Sequence, residues 1–144
     1  MYFRAPDSRM NLANFFRAQV YASFAALKSG MDILFDKEHV SAEQFTGHGG
    51  LFKTEGVAQQ YLADALNTPV SVMKTAGEGG SWGMALLAQY MVCGEGMSLA
   101  DWLDEKVFAG IEAETYSPDE KGSEGFARYM ERYEKMLALQ RQIS

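Results

Sequence analysis

Between Gly47 and Val70 the chain reads Gly-His-Gly-Gly-Leu-Phe-Lys-Thr-Glu-Gly-Val-Ala-Gln-Gln-Tyr-Leu-Ala-Asp-Ala-Leu-Asn-Thr-Pro-Val, and no other stretch restricts the fold as much. Three glycines in four residues permit positive φ and let another group come close to the backbone. The preceding residues 41–46, Ser-Ala-Glu-Gln-Phe-Thr, are short and glycine-bounded, which predicts a strand that delivers the turn. A helix is predicted from about Thr54 to Leu66, with Val57, Tyr61, Leu62 and Leu66 facing inward. Asn67-Thr68-Pro69 stops it, because proline disfavours the helical conformation in the residue before it, and the β-branched run Val70–Met73 reads as a second strand. A helix opening just past the turn would direct unpaired N–H groups at it, the build of an anion or nucleotide cradle. The same order of strand, turn and helix is an ordinary connector in α/β proteins, and spacing alone does not choose between them.

Upstream, Leu12, Phe15, Phe16, Val20, Phe24 and Leu27 recur at three- and four-residue steps, which predicts a helix from Asn11 to about Ser29 with one broad buried face. Ser8 or Asn11 is placed to cap it, and Gly30 allows a break before a further turn over residues 31–35. Downstream, residues 75–83 form a second glycine-rich turn, followed by a small-residue helix over 84–92. A helix capped by Ser98 runs to about Phe108, with Leu99, Trp102, Leu103 and Val107 on one face. The polar stretch from Gly110 to Gly125 reads as a loop, and Phe126, Tyr129, Met130, Tyr133, Met136 and Leu137 mark a final helix ending near Gln140. Alternating helices and strands favour parallel strands joined by a crossover. Two strands alone make a poor sheet, so this pair is expected to belong to a larger one.

With 144 residues and 47% apolar composition, one domain with a real core is expected. A net charge of −6 and the lack of clustered lysine and arginine in the sequence argue against a nucleic-acid partner or an anionic membrane surface. No apolar run reaches the ~20 residues of a membrane span. The single cysteine, Cys93, allows no internal disulfide, and His39 and His48 form no metal-binding pattern; a cytoplasmic protein is the expectation. Tyr2-Phe3-Arg4-Ala5-Pro6, apolar and turn-like directly after Met1, hints at a chain cut from something longer.

Other chemistries fit poorly. From Gly77 a dinucleotide fingerprint needs glycine or alanine where Trp82 stands, and neither glycine turn continues into the Gly-Lys-Ser/Thr of a phosphate-binding loop. Cys93 follows a hydrophobic helix with no histidine near it in sequence, which reads as a buried structural thiol. His48 in the first turn reads as a solvated residue or a phosphate or ribose contact, and Lys53 as a surface charge or a ligand contact. Asp101, Asp104 and Glu105 read as a solvated helix face.

Several residues together carry a resemblance. The Gly49-Gly50 pair, the helix with Gln60 and Ala63-Asp64, the Asn67-Thr68-Pro69-Val70 approach to the second strand and the Gly83-Met84-Ala85-Leu86-Leu87-Ala88 helix resemble the C-terminal domain of the FGGY carbohydrate kinases, the pentulose (ribulose or xylulose) kinases most of all. Arg17-Ala18 ahead of Tyr21-Ala22-Ser23-Phe24 is similar to the long helix that precedes this region in the family. The likeness is close over residues 10–92 and looser over the tyrosine-rich C-terminal helix.

The resemblance implies an α/β fold: a partial actin-like, ribonuclease-H-like ATPase domain, with residues 1–92 as its core and 93–144 as a helical extension of the same domain. It implies an ATP site in which Gly49 and Gly50 lie near the ribose and α-phosphate, while Leu51, Phe52, Lys53 and Gly56 edge the adenosine pocket. Phe52 stands where the family usually has a small residue, and Glu55 near its common serine, which would alter the base contact. Magnesium and a sugar substrate are implied for the complete enzyme. The family's Asp-x-Gly-Thr phosphate loop and general-base aspartate belong to an N-terminal domain, and no aspartate in this chain is followed two residues later by glycine. Phosphoryl transfer needs nucleotide, metal and acceptor held together, so the chain by itself is expected to be inactive as a kinase. The competing expectation is a non-catalytic interaction or dimerisation module of the same fold, with homo-oligomers formed through apolar surface that missing strands would cover.

Overall fold

The computed structural model describes residues 3–74, 77, 79–94 and 96–143. Helix α1 spans Leu12–Asp32 and is capped by Asn11, whose side chain accepts a hydrogen bond from the Asn14 N–H at 2.7 Å. Gly30 does not break it; the helix continues directly into a π-helical turn over Ile33–Lys37. Strand β1 is Phe45–Gly47, shorter than expected, and is followed by a 3-10 turn at Gly50–Lys53. Helix α2, Val57–Leu66, lies between two left-handed residues, Gly56 at φ 77° and Asn67 at φ 49°. Asn67 caps its end, and Pro69 prevents continuation. Strand β2 is Val70–Met73, as the β-branched run predicts. Helix α3 covers Gly79–Cys93, so it begins inside the second glycine turn rather than after it. Residues 75, 76 and 78 of that turn lie outside the described residues.

Ser98 caps α4, Leu99–Trp102, which runs into a π-helical turn at Leu103–Val107. The stretch expected to be a loop from Gly110 to Gly125 instead holds strand β3, Ala113–Tyr116, and the first turns of α5, Glu120–Ile143. Residues 93–144 therefore add a strand to the sheet as well as helices. The three strands lie in the order β1-β2-β3. β1 and β2 are parallel, with Phe45 opposite Val70 and Gly47 opposite Val72, while β3 is antiparallel, with Tyr116 opposite Val70. Ser71 ties the sheet across its width: it accepts from Gln44 Nε2 at 2.6 Å and shares a 2.6 Å hydrogen bond with Thr115 Oγ1.

Helices α1, α2 and α5 bury Tyr21, Phe24, Ala25, Leu62, Ala63, Leu66, Phe126 and Met130 together with Val70 and Val72 of the central strand. Tyr21 is the hub. Its ring meets Tyr61, Phe126 and Tyr129 edge-on, with centroids 5.4, 5.0 and 5.3 Å apart. Such contacts add to plain area burial and fix ring directions. Five residues expected in the core are exposed. Leu12, Phe16 and Leu27 of α1 are exposed, because the core uses the face of Tyr21, Phe24 and Ala25 and leaves the neighbouring apolar stripe outside. Val57 of α2 is exposed as well, because the first turn of the helix turns Ala58 and Gln59 inward instead. Cys93 is exposed at the last residue of α3.

A polar lock joins α2 to α5. Asp64, buried in α2, accepts from the Asp119 N–H and from Gln60 Nε2, each at 2.8 Å. Asp119 in turn caps α5 by accepting from the Gly122 N–H at 2.8 Å. Asp64 thereby does across the fold what the third residue of a helix does in a capping box. Gln60 also donates to the Ser117 carbonyl at 2.9 Å, which pins the link from β3 to α5.

Candidate functional site

Two parallel strands end side by side, and each runs into glycine. β1 ends at Gly47, opposite Val72 of β2, and the chain turns through Gly49 at φ 108° into the 3-10 turn. β2 ends at Met73 and leads to Gly77 and to Gly79 at the start of α3. The carboxyl ends of adjacent parallel strands are where open α/β sheets bind ligands. Here the two turns touch. A Cβ built on Gly79 would sit 2.9 Å from His48 Nδ1, and one on Gly77 would sit 2.8 Å from Lys53 Cε. Lys53 and His48 occupy the space that side chains at Gly77 and Gly79 would take, so these two glycines of the second turn pack against the first, while Gly80 and Gly83 meet nothing within 4 Å.

The six expected nucleotide contacts divide into two groups. Gly49 and Gly50 front open space, with nothing within 4 Å of a Cβ built on either, and Leu51 beside them is 46% exposed. Lys53 lies against Gly77 along its aliphatic stem. Phe52 instead folds inward: its ring occupies the place of a Gly47 side chain, 2.6 Å from a Cβ built there. Gly56 faces Tyr116, whose hydroxyl would lie 3.6 Å from a Gly56 Cβ. The Tyr116 hydroxyl titrates above its ordinary range, first because of its hydrogen bond to Glu114 and then because of burial. It stays protonated at neutral pH.

The helical part of the expected cradle differs. α2 starts at Val57, seven residues past Gly50, and the intervening 3-10 turn closes with the Phe52 N–H donating to Gly49 O at 3.1 Å. The long helix therefore does not aim its N-terminus at the Gly47–Gly50 turn. What the turn offers a ligand is close approach to bare backbone, flanked by Leu51 and Lys53.

The sequence profile of the FGGY family of carbohydrate kinases, C-terminal domain, matches residues 2–92. The chain belongs to this family. Its fold is similar to a ligand-bound xylulose kinase from Lactobacillus acidophilus, at a TM-score of 0.62 and 20% identity over 83% of this chain. A gluconate kinase from Lactobacillus acidophilus is similar to the same extent, at a TM-score of 0.61 and 20% identity over 83% of this chain. The chain spans 23% of the length of each of these two proteins. No curated protein sequence matches it significantly.

The remaining candidate groups of this FGGY domain stand apart from the two turns. Cys93 lines a shallow cleft of about 490 Å³ with Trp82, Leu86, Met97 and Trp102, beside the contact of the Tyr90 and Trp102 rings at 5.5 Å. Asp101 is held in the α4 cap, accepting from Ser98 Oγ at 2.6 Å. Among the described residues no three carboxylate, histidine or cysteine side chains could together hold a metal ion. Among them also, no helix is long and apolar enough to cross a membrane. Sequence reasoning missed the inward turn of Phe52 and the meeting of the two glycine turns. The signal for the second was present, since Gly77 and Gly79 leave the space that Lys53 and His48 fill.

Proposed function

We propose that this chain forms the adenosine-side wall of the ATP site in a cytoplasmic sugar kinase of the pentulose type. In the reaction a sugar hydroxyl oxygen bonds to the γ-phosphorus, the bond from that phosphorus to the β-bridging oxygen breaks, and the hydroxyl proton passes to a base outside this chain. Gly49 and Gly50 let the ribose and α-phosphate approach the backbone, and Leu51 and Lys53 edge the adenosine pocket. Phe52 and Gly56 contribute by shaping the turn from behind. Magnesium would neutralise the phosphate charge, and its carboxylate ligands, like the sugar pocket and the general base, would come from the rest of the enzyme. The chain alone would bind ATP or ADP weakly and show no sugar-dependent ATP turnover.

One observation carries the reading: Gly49 and Gly50 open onto empty space at the end of a parallel strand, opposite a second glycine turn. Calorimetric titration of the chain with ATP tests it. Gly50 has room for a Cβ and lies outside the left-handed region of φ, so the side chain of Gly50→Val is expected to obstruct a ligand, and circular dichroism checks that the fold is kept. The expected result is at least a tenfold loss of ATP affinity; equal affinity in the variant rules the site out.

A second reading has an observation of its own. Met84, Leu87, Met91 and Val92 of α3 are all exposed, which suits an interaction or dimerisation module. Absence of any nucleotide binding together with stable self-association would favour it.

A further inference from the structure

The chain is acidic overall, yet five of its six arginines and none of its seven lysines line one cleft of about 760 Å³. Arg4 and Arg9 come from the N-terminal segment, Arg17 from α1, and Arg128 and Arg132 from α5; among the described residues Asp7 is the one carboxylate in the lining. Convergence from three separate parts of the chain does not follow from helix periodicity. It brings five arginines to the lining of one cleft with room for a small molecule. Lysine would serve equally for solubility, whereas arginine presents a planar fork that matches phosphate oxygens in pairs.

The partners these arginines already have are weak. Arg132 reaches Asp7 at 3.5 Å and Arg128 reaches Glu124 at 3.7 Å, in both cases with exposed side chains and single contacts. Arg4 donates to Ser8 Oγ at 3.2 Å, and Arg17 lies over the Tyr61 ring and donates to its hydroxyl at 3.3 Å. Exposed pairs of this kind exchange readily for a multiply charged anion. The rest of the lining adds donors. Tyr21 and Tyr129 lie on the inner wall, and burial raises both hydroxyls above their ordinary range, so they remain neutral. Asn14 and Gln140 supply amides. None of the described lining residues belongs to the glycine turns.

We propose that the cleft between the N-terminal segment, α1 and α5 is a binding site for a small phosphate ester carrying two or more charges, held by Arg9, Arg17, Arg128 and Arg132. It is a second ligand site, independent of the one proposed at Gly49 and Gly50.

Titration calorimetry with inorganic pyrophosphate at physiological salt tests it. Saturable binding of one equivalent is expected, weakened about tenfold by Arg9→Gln or Arg128→Gln and unchanged by Arg141→Gln, the arginine outside the cleft. Arg9→Lys and Arg128→Lys keep the charge and the fold but lose the fork, and each is expected to weaken binding several-fold. Circular dichroism establishes that each variant is folded, and the lysine variants decide the matter if a glutamine variant is not. Absence of saturable binding overturns the proposal, as does equal affinity in the lysine variants, which would mark diffuse charge attraction. Tighter binding of an oligoglutamate peptide than of pyrophosphate overturns it too, because the cleft would then be a docking surface for an acidic protein.

Discussion

Replacing Gly122 with alanine is expected to destabilise the protein, against the usual preference of helices. In an ordinary helix the change from glycine to alanine gains up to about 1 kcal/mol. Gly122 lies in the first turn of α5, against the buried carboxylate of Asp64. A Cβ there would lie 3.0 Å from Asp64 Oδ1 and would overlap the rest of the carboxylate. Asp64 can withdraw only by giving up the Asp119 N–H and Gln60 Nε2, both at 2.8 Å. Overpacking costs about 1–3 kcal/mol, and losing a hydrogen bond to a charged group costs about 1.5–3 kcal/mol. With a helical gain of about 1 kcal/mol subtracted, overpacking leaves a net loss of up to about 2 kcal/mol and surrender of both hydrogen bonds one of about 2–5 kcal/mol, so the structure takes the first route and loses up to about 2 kcal/mol. Gly125 is the control on the same helix, since a Cβ there has nothing within 4 Å, and Gly125→Ala should gain up to about 1 kcal/mol. Urea unfolding followed by circular dichroism measures both. Finding Gly122→Ala as stable as Gly125→Ala would refute the lock between Asp64 and the cap of α5.

Two further outcomes follow from packing. Burial raises the Tyr21 and Tyr129 hydroxyls above the ordinary value of 10.0, so the folded state holds these protons more tightly than the unfolded chain. Their contribution to stability is complete below pH 10 and is lost as pH rises through the folded values. The double variant Tyr21→Phe/Tyr129→Phe should flatten the alkaline decline of unfolding free energy between pH 9 and 11, measured in urea; an unchanged slope contradicts it. Exposed Met84, Leu87, Met91 and Val92 on α3 predict self-association at about 100 μM, reduced by Met84→Lys/Met91→Lys. Light scattering from a monodisperse wild-type monomer would contradict that.

The sequence carries the fold wherever local chemistry and burial agree. The β-branched run of β2, the Asn11 and Ser98 caps and the Asn67-Thr68-Pro69 stop all stand where their chemistry puts them. β3 was illegible because Ala113-Glu114-Thr115 is exposed and joins the sheet through backbone pairing and the Thr115 hydroxyl, leaving no apolar alternation to read. The α1 stripe misled for a different reason. Its helix is apolar over more than one face, and periodicity cannot say which face the core takes when Tyr21 and Ala25 supply the contact. At the candidate site the glycines themselves were readable. The inward fold of Phe52 was not, because it depends on the space left by Gly47 five residues away.

The central claim is that the turn at Gly49 and Gly50 receives the adenosine part of ATP. Amide chemical-shift mapping of the labelled chain with ATP, compared with pyrophosphate, tests it most directly, because the difference isolates the nucleoside. Shifts caused by ATP but not by pyrophosphate are predicted to fall on Gly49–Gly56, Gly77 and Gly79. ATP-specific shifts elsewhere, or none at all, would contradict the account.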